Sequence, residues 1–300
     1  MIQPAFSTVA CADWPLDLIA SRCKQWGFPG IELRTFGDAS REFACDPALT
    51  DALKIRRMFH EAGTQICSLA TSIGFDDPIR PPVIGNAIGD TERTVRAAKR
   101  AIDLAITIEC PLVRVFGFEI HHAEPQKAAL ARIVARLKRV VDHAHRTGVR
   151  VMLENAGGFP TSSSIIQIID AVNSPLLGAC FNVANAHAAG EDPGIGAANL
   201  DDRLLALRIK DLKRGRPVPL GTGEIEWTGA VKAAARTKLD EVLIYEWDRA
   251  WIPDLASADE ILPGAAKALL GEVSRAEAMI ASARPAGSPP ARDTTLTPRG

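Results

Sequence analysis

The chain has 300 residues, 47% of them hydrophobic and 24% charged, which is enough apolar material for one large domain and too much for a disordered polypeptide. Thirty-five Lys and Arg against 36 Asp and Glu leave a formal charge of −1, so the basic excess that gathers nucleic acid or anionic lipid is missing and neither is expected as a partner. Six cysteines show no C-x-x-C spacing, and MIQPAFSTVACADW lacks a basic-then-apolar leader. Reduced thiols and a cytoplasmic location are therefore expected.

Taken in chain order, PAFSTVA near the start reads as a first strand, followed by a helix from Pro15 to Trp26 that Gly27 stops. GIELRT (30–35) is the second strand, a helix from Pro47 to Ala62 ends at Gly63, and QICSLA (65–70) and PLVRVFG (111–117) follow as strands. Residues 126–146 carry Leu130, Ile133, Val134, Leu137, Val140, Val141 and Ala144 at helical spacing, with Gly148 as the stop. VRVMLEN (149–155), LLGACFN (176–182), LLALRIKD (204–211) and EVLIYEW (241–247) complete eight apolar runs. Strands alternating with helices argue for a parallel sheet, and eight units in about 250 residues fit a closed (β/α)8 barrel, with an open doubly wound sheet as the alternative. A single domain over residues 1–283 is expected, and the Pro-, Gly-, Ser- and Thr-rich stretch 284–300 reads as a disordered tail.

In such a barrel, chemistry belongs at the C-terminal ends of the strands. The residues ending the runs are Arg34, Ser68, Arg114, Glu154 with Asn155, Asn182 with Asn185, Arg208 with Lys210 and Asp211, and Glu246. Charged and amide groups closing apolar strands are costly unless they face a polar cavity or one another. Gly221 and Gly223 in PLGTGEIEW read as a tight turn rather than a phosphate cradle, because G-x-G alone is weak evidence. Trp14, Trp227, Trp247 and Trp251 are either core or stacking surfaces for a sugar. His121 and His122 follow the fourth strand, where a ligand would enter.

GFPGIELR, VMLEN, FNVANAHAAGEDP, LRIKDLK, PLGTGEIEW and YEWDRAWIP, in that order and spacing, resemble the xylose-isomerase-like sugar isomerase and epimerase family, which includes ketose 3-epimerases and inosose dehydratase. That resemblance implies a divalent ion held by two Glu, an Asp and a His, with the two Glu moving a proton on opposite faces of a substrate carbon. It maps the Glu pair onto Glu154 and Glu246, the Asp onto Asn182 and the His onto Arg208. Two of four ligands are thus replaced, one of them by a guanidinium that has no lone pair and repels a cation. The expectation is that Arg208 stands in for the metal between Glu154 and Glu246. Asn for Asp then keeps the local charge at −1, with two carboxylates around one guanidinium instead of three around a divalent ion.

The function implied is a sugar or polyol isomerase or epimerase, with a dehydratase second, that moves a proton next to a carbonyl using Glu154 and Glu246. Arg114, Asn155, Asn182, Asn185, Arg208, Lys210 and His187 are the expected substrate-binding residues. No cofactor is expected; if a metal is kept, it is Mn2+ or Mg2+ held by Glu154, Glu246 and His187. A second class is a catalytically degenerate barrel that binds a sugar-like ligand or a partner protein. The fold resemblance extends to an apurinic endonuclease, whose several zinc-binding His and basic DNA-facing surface are missing here. The partner expected is a small carbohydrate or polyol, and because barrels of this family often pair, a homo-oligomer is a further expectation.

Overall fold

In the computed structural model, which describes residues 2–77, 92–120, 124–237 and 242–283, the eight runs become the strands of one closed parallel barrel. They are β1 (Gln3–Ser7), β2 (Gly30–Arg34), β3 (Gln65–Gly74), β4 (Leu112–Phe116), β5 (Arg150–Glu154), β6 (Leu177–Asn182), β7 (Leu204–Ile209) and β8 (Val242–Tyr245). Closure is made by β8 lying parallel to both β7 and β1, with Ala5 opposite Ile244. Helices α1 (Leu16–Trp26), α2 (Ala52–Ala62), α3 (Arg93–Thr107), α4 (Gln126–Ala144), α5 (Ser162–Val172), α6 (Val183–Ala188), α7 (Pro193–Leu200), α8 (Trp227–Ala234) and α9 (Ala258–Ala283) surround it. The expected tail 284–300 and His121 and His122 lie outside the described residues. Among the described residues no helix is long and apolar enough to cross a membrane.

The helix boundaries follow local chemistry. Gly27 and Gly63 close α1 and α2 in the left-handed conformation that glycine adopts without a steric penalty. The segment read as one helix from Pro47 is two pieces. Asp46 caps a short 3-10 turn at Pro47–Leu49, and Asp51 then caps α2 by accepting from Lys54 N. Each Asp satisfies amide groups that a continuous helix would have bonded internally. Helix α4 ends at Ala144, two turn residues earlier than read, because Arg146 already has a positive φ of 63°. The seventh run ends at Ile209, and Asp211–Lys213 turn back against Arg216–Val218 as a small antiparallel hairpin.

That hairpin explains the glycines of PLGTGEIEW. Gly221 N, Gly223 N and Ile225 N donate to the Asp211 carboxylate at 2.9, 2.8 and 3.1 Å, so the cradle is filled by the chain's own anion. A Cβ on Gly223 would stand 2.1 Å from Asp211 Oδ1. Gly223→Ala is therefore expected to destabilise the protein by about 1–3 kcal/mol, read as a lower melting temperature.

Period-2 alternation separates two cores. Outward side chains such as Phe6, Leu33, Val115, Leu153, Phe181, Leu207 and Tyr245 pack under the helices. A separate cluster inside the barrel contains Ala5, Cys67, Leu112, Met152, Cys180, Ala206 and Ile244. Two residues further along those strands the interior becomes polar, with Ser7, Arg114, Glu154, Asn182, Arg208 and Glu246. The apolar layer is the floor on which the charged layer stands.

Candidate active site

Arg208, on β7, is fully buried and lies at the centre of the charged layer. Its Nη2 donates to both oxygens of Glu32 at 2.6 and 2.8 Å, and its Nη1 donates to Glu246 Oε2. Nε stands 3.2 Å from Glu154 Oε2, close enough for an ion pair but without hydrogen-bond alignment. Arg114 donates from Nη1 to the same Glu154 oxygen and from Nη2 to the Thr71 carbonyl. Lys210 Nζ bonds Glu246 Oε1 at 2.5 Å and the two Asp248 oxygens at 3.2 and 3.0 Å.

The guanidinium stands between Glu154 and Glu246, as read from the sequence, but the cluster is larger than two carboxylates around one cation. Three glutamates face Arg208, and Arg114 and Lys210 balance the other two charges. Burial alone would raise both carboxyls. Arg114 and Arg208 nevertheless hold Glu154 below its ordinary value, and Arg208 and Lys210 hold Glu246 well below. Burial, reinforced by the Glu246 carboxylate, pushes Asp248 the other way, up to about 6, against the pull of Lys210.

Asn182 donates from its amide nitrogen to Glu154 Oε1 at 2.9 Å, while its Oδ1 accepts from Ala184 N and Asn185 N and caps α6. Asn155 is buried and spans the ends of β5 and β6. Its Nδ2 donates to the Asn182 and Pro160 carbonyls, and its Oδ1 accepts from Asn182 N. Asn185 donates to the Asn155 carbonyl at 2.7 Å. These three amides brace the mouth: Asn155 and Asn182 use both side-chain polar atoms on the protein, and Asn185 uses its Nδ2. His187 is exposed on α6, outside every hydrogen bond and ion pair of the cluster. Glu154, Glu246 and His187 are not brought together, and among the described residues no three His, Cys, Asp or Glu stand close enough to hold a metal ion.

This donor set does not fit a divalent ion. The carboxylate oxygens that would bind it already accept from Arg208, Arg114, Lys210 and Asn182, and a guanidinium occupies the place between them.

Three residues of the site were not singled out or not given a role from the sequence. Glu32 lies two residues before Arg34, on the same face of β2, and Asp248 lies two after Glu246. The alternation of GIELR and YEWD carries both, once residues beside the run ends are considered as well as the ends themselves. The third is Arg34, buried beside the rings of Phe36 and Trp251. Of the tryptophans, Trp227 and Trp247 are core, Trp14 packs against Trp26, and Trp251 is 52% exposed at the mouth.

With the barrel centre filled by ion pairs, the open space is displaced to one side. A cavity of about 850 Å³ is lined by residues following β2 (Thr35, Phe36), the end of β3 (Thr71, Ser72) and α3 (Arg93, Arg100). None of the three glutamates lines it.

The same architecture recurs in solved structures. An L-ribulose 3-epimerase superposes with a TM-score of 0.77 at 18% identity, covering 95% of this chain and 100% of that one. The IOLI protein with a bound zinc atom gives 0.73 at 18%, over 91% and 98%. A D-allulose 3-epimerase from a Methylomonas species gives 0.70 at 15%, over 90% and 98%. At these identities the likeness shows the fold. Among curated proteins none matches the chain in sequence. The sequence does carry a family signature beyond the barrel geometry: residues 20–268 match the model of the xylose isomerase-like TIM barrel, and the chain belongs to that family.

Proposed function

We propose that the chain acts on a small polyhydroxylated carbonyl compound as a metal-independent isomerase, with Asp248 taking a proton from the carbon beside the carbonyl and Lys210 holding the oxygen that becomes negative. The observation that supports this reading is the contact of Lys210 with Asp248 and Glu246 at the rim, where all three side chains keep 12–14% exposure while Arg208 keeps none. A base works best when its pKa lies near the working pH, and Asp248, at about 6, meets that condition. Glu154 and Glu246 sit below the ordinary range, so neither carries a proton to give at neutral pH. In this reading Glu246 positions Lys210, and Glu154 is a fixed charge.

Because Lys210 and Asp248 touch, acid and base act from one side. One-sided transfer suits isomerisation: the Asp248 carboxylate removes the proton from the hydroxyl-bearing carbon, the electron pair moves onto the carbonyl oxygen beside the Lys210 ammonium, that oxygen takes up the proton of the neighbouring hydroxyl, and Asp248 returns its proton to the former carbonyl carbon as the second carbonyl forms. Epimerisation needs a second group on the opposite face. The family's ketose epimerases support the substrate class. A second reading, ligand binding without turnover, is favoured by the full engagement of the Glu154 and Glu246 oxygens.

Deuterium uptake from heavy water into a panel of ketoses, inososes and 3-keto-glycosides tests the proposal. The chelator-treated wild type is expected to exchange a carbon-bound proton, with an acid limb near pH 6 below which the base is protonated. Asp248→Asn is expected to lower the rate by about 10²-fold or more. Absence of uptake across the panel supports binding alone, and uptake that persists in Asp248→Asn overturns the assignment of the base.

A further inference from the structure

Among the described residues of the barrel mouth, Arg34 is a buried cation with no carboxylate at ion-pair distance. Arg114, Arg208 and Lys210 each pair with at least one, whereas no Asp or Glu among the described residues lies within ion-pair distance of Arg34. It is nonetheless only 8% exposed, and an uncompensated buried charge is costly. Burial first, then the cations Arg114 and Arg208, bring its guanidinium down to about 10, against the weaker pull of the more distant Glu32 and Glu246 carboxylates.

Its hydrogen bonds show which part is spoken for. A guanidinium carries five N–H groups. Nη1 uses two, on the Thr35 carbonyl at 2.6 Å and the Ala70 carbonyl at 3.3 Å, and Nη2 uses one, on Ser72 Oγ at 2.6 Å. The Nε hydrogen and one Nη2 hydrogen have no acceptor among the described residues. Nε and Nη2 form one edge of the fork, the geometry that takes a carboxylate or phosphate with two parallel bonds. The three bonds to Thr35, Ala70 and Ser72 fix that edge in place, so little side-chain entropy is left to lose on binding.

The surroundings suit a ligand. Arg34 does not itself line the 850 Å³ cavity, but its chain neighbours Thr35 and Phe36 and its hydrogen-bond partner Ser72 do, on a wall that also carries four aspartates, Asp38, Asp46, Asp76 and Asp77; the volume is ordinary for a small-molecule site. Phe36 and the exposed Trp251 flank the guanidinium with ring centroids 5.5 and 6.0 Å from its carbon. Arg100 lines the same cavity and likewise has no ion-pair partner among the described residues.

We propose that the free Nε/Nη2 edge of Arg34 is a built oxyanion anchor and that the ligand of this barrel is an acid, carrying a carboxylate or phosphate group as well as its hydroxyls. This deepens the reading of the mouth as a small-molecule site and rests on it only for the location, since anion binding needs no turnover.

Calorimetric titration of the full chain at low salt with D-gluconate, D-fructose 6-phosphate and the neutral D-glucitol tests it. At least one anion is expected to bind tenfold or more tightly than D-glucitol, and the two anionic probes tell carboxylate from phosphate. Arg34→Met should remove the preference. Because that variant loses a buried side chain, Ser72→Asp is the second test: Ser72 is exposed, so folding is spared, and the new carboxylate supplies Arg34 with its own anion. It should cut the affinity for anions relative to D-glucitol at least tenfold, while Ser72→Asn keeps the preference. Anions binding no better than D-glucitol, no binding of any probe, or a preference that survives Ser72→Asp overturns the proposal. Anion binding through Arg34 without deuterium uptake leaves it standing and removes the isomerase reading. Uptake into neutral ketoses with no anion preference does the reverse.

Discussion

Arg208→Met lowers the melting temperature at pH 7 by about 10 °C or more. Removing one partner of a buried ion pair costs about 3–5 kcal/mol, and here one guanidinium serves Glu32, Glu154 and Glu246 together, so the upper end applies. At about 2–4 °C per kcal/mol for a domain of this size, the shift is large enough to read in a single thermal scan. Glu32 is the most affected group. Glu154 keeps Arg114 and Glu246 keeps Lys210, but Glu32 keeps only the Ser68 hydroxyl at 2.9 Å.

The pH dependence gives the prediction its sign. In the wild type Glu154 and Glu246 are held below their ordinary values. Their contribution is therefore present above the ordinary carboxylate pKa and lost as pH falls through the lowered ones. Arg208 is one of the cations that hold both carboxyls down, so part of that contribution is absent in Arg208→Met and the deficit against the wild type shrinks as pH falls below the ordinary carboxylate range. Adding Glu32→Gln to Arg208→Met recovers part of the loss at pH 7, because the stranded charge is gone. A melting temperature unchanged within 2 °C of the wild type (about 1 kcal/mol or less) would sink the idea that the cluster is a structural keystone.

The barrel was legible because each of its determinants is local. Pro and Gly punctuate the early helices, and eight apolar runs give the strand count without reference to anything distant. The exceptions have local causes that a periodicity scan overlooks. Asp46 and Asp51 split the segment from Pro47 to Ala62 by capping two separate turns, and a Pro-led apolar pattern reads the same whether or not a cap interrupts it. The hairpin at Asp211–Val218 is hidden because its first strand follows β7 after a single residue, so that one run, 204–211, covers the start of both.

For the site, the sequence reveals Arg208 through its position: the resemblance places it where a ligand His is expected, opposite Glu154 and Glu246, and a guanidinium there can only pair with them. Glu32 escapes a reading that looks only at the end of each run, because the charged layer is two residues deep on β2, where Glu32 and Arg34 share a face. The amide trio shows the opposite failure. Asn155, Asn182 and Asn185 occupy positions where hydroxyl-binding groups are expected, yet whether an amide is free depends on backbone carbonyls from another strand, and those partners have no signature in the sequence. The same holds for Arg34, whose significance lies in what it fails to meet.

Asn182→Asp together with Arg208→His is expected to give a chain that takes up about one divalent ion. The wild-type layer is neutral, with Glu32, Glu154 and Glu246 against Arg208, Arg114 and Lys210. The double variant gains a carboxylate and exchanges the guanidinium for an imidazole, leaving four carboxylates against two cations. A bound divalent ion restores neutrality, and His nitrogen with carboxylate oxygen is a donor set that Zn2+ and Mn2+ accept. The metal-free double variant should accordingly melt below the wild type, and added metal should raise it by about 4 kcal/mol of stabilisation at a thousandfold excess over the dissociation constant. Mass spectrometry of protein grown with Mn2+, Mg2+ and Zn2+ and then desalted should find about one ion per chain in the double variant and well below one in the wild type, as the charge balance requires. One ion per wild-type chain would mean that Arg208 does not hold the place between Glu154 and Glu246 in solution. An empty double variant would mean that Asn182, tied to Glu154 and to the start of α6, fixes a geometry into which no cation fits whatever the charge.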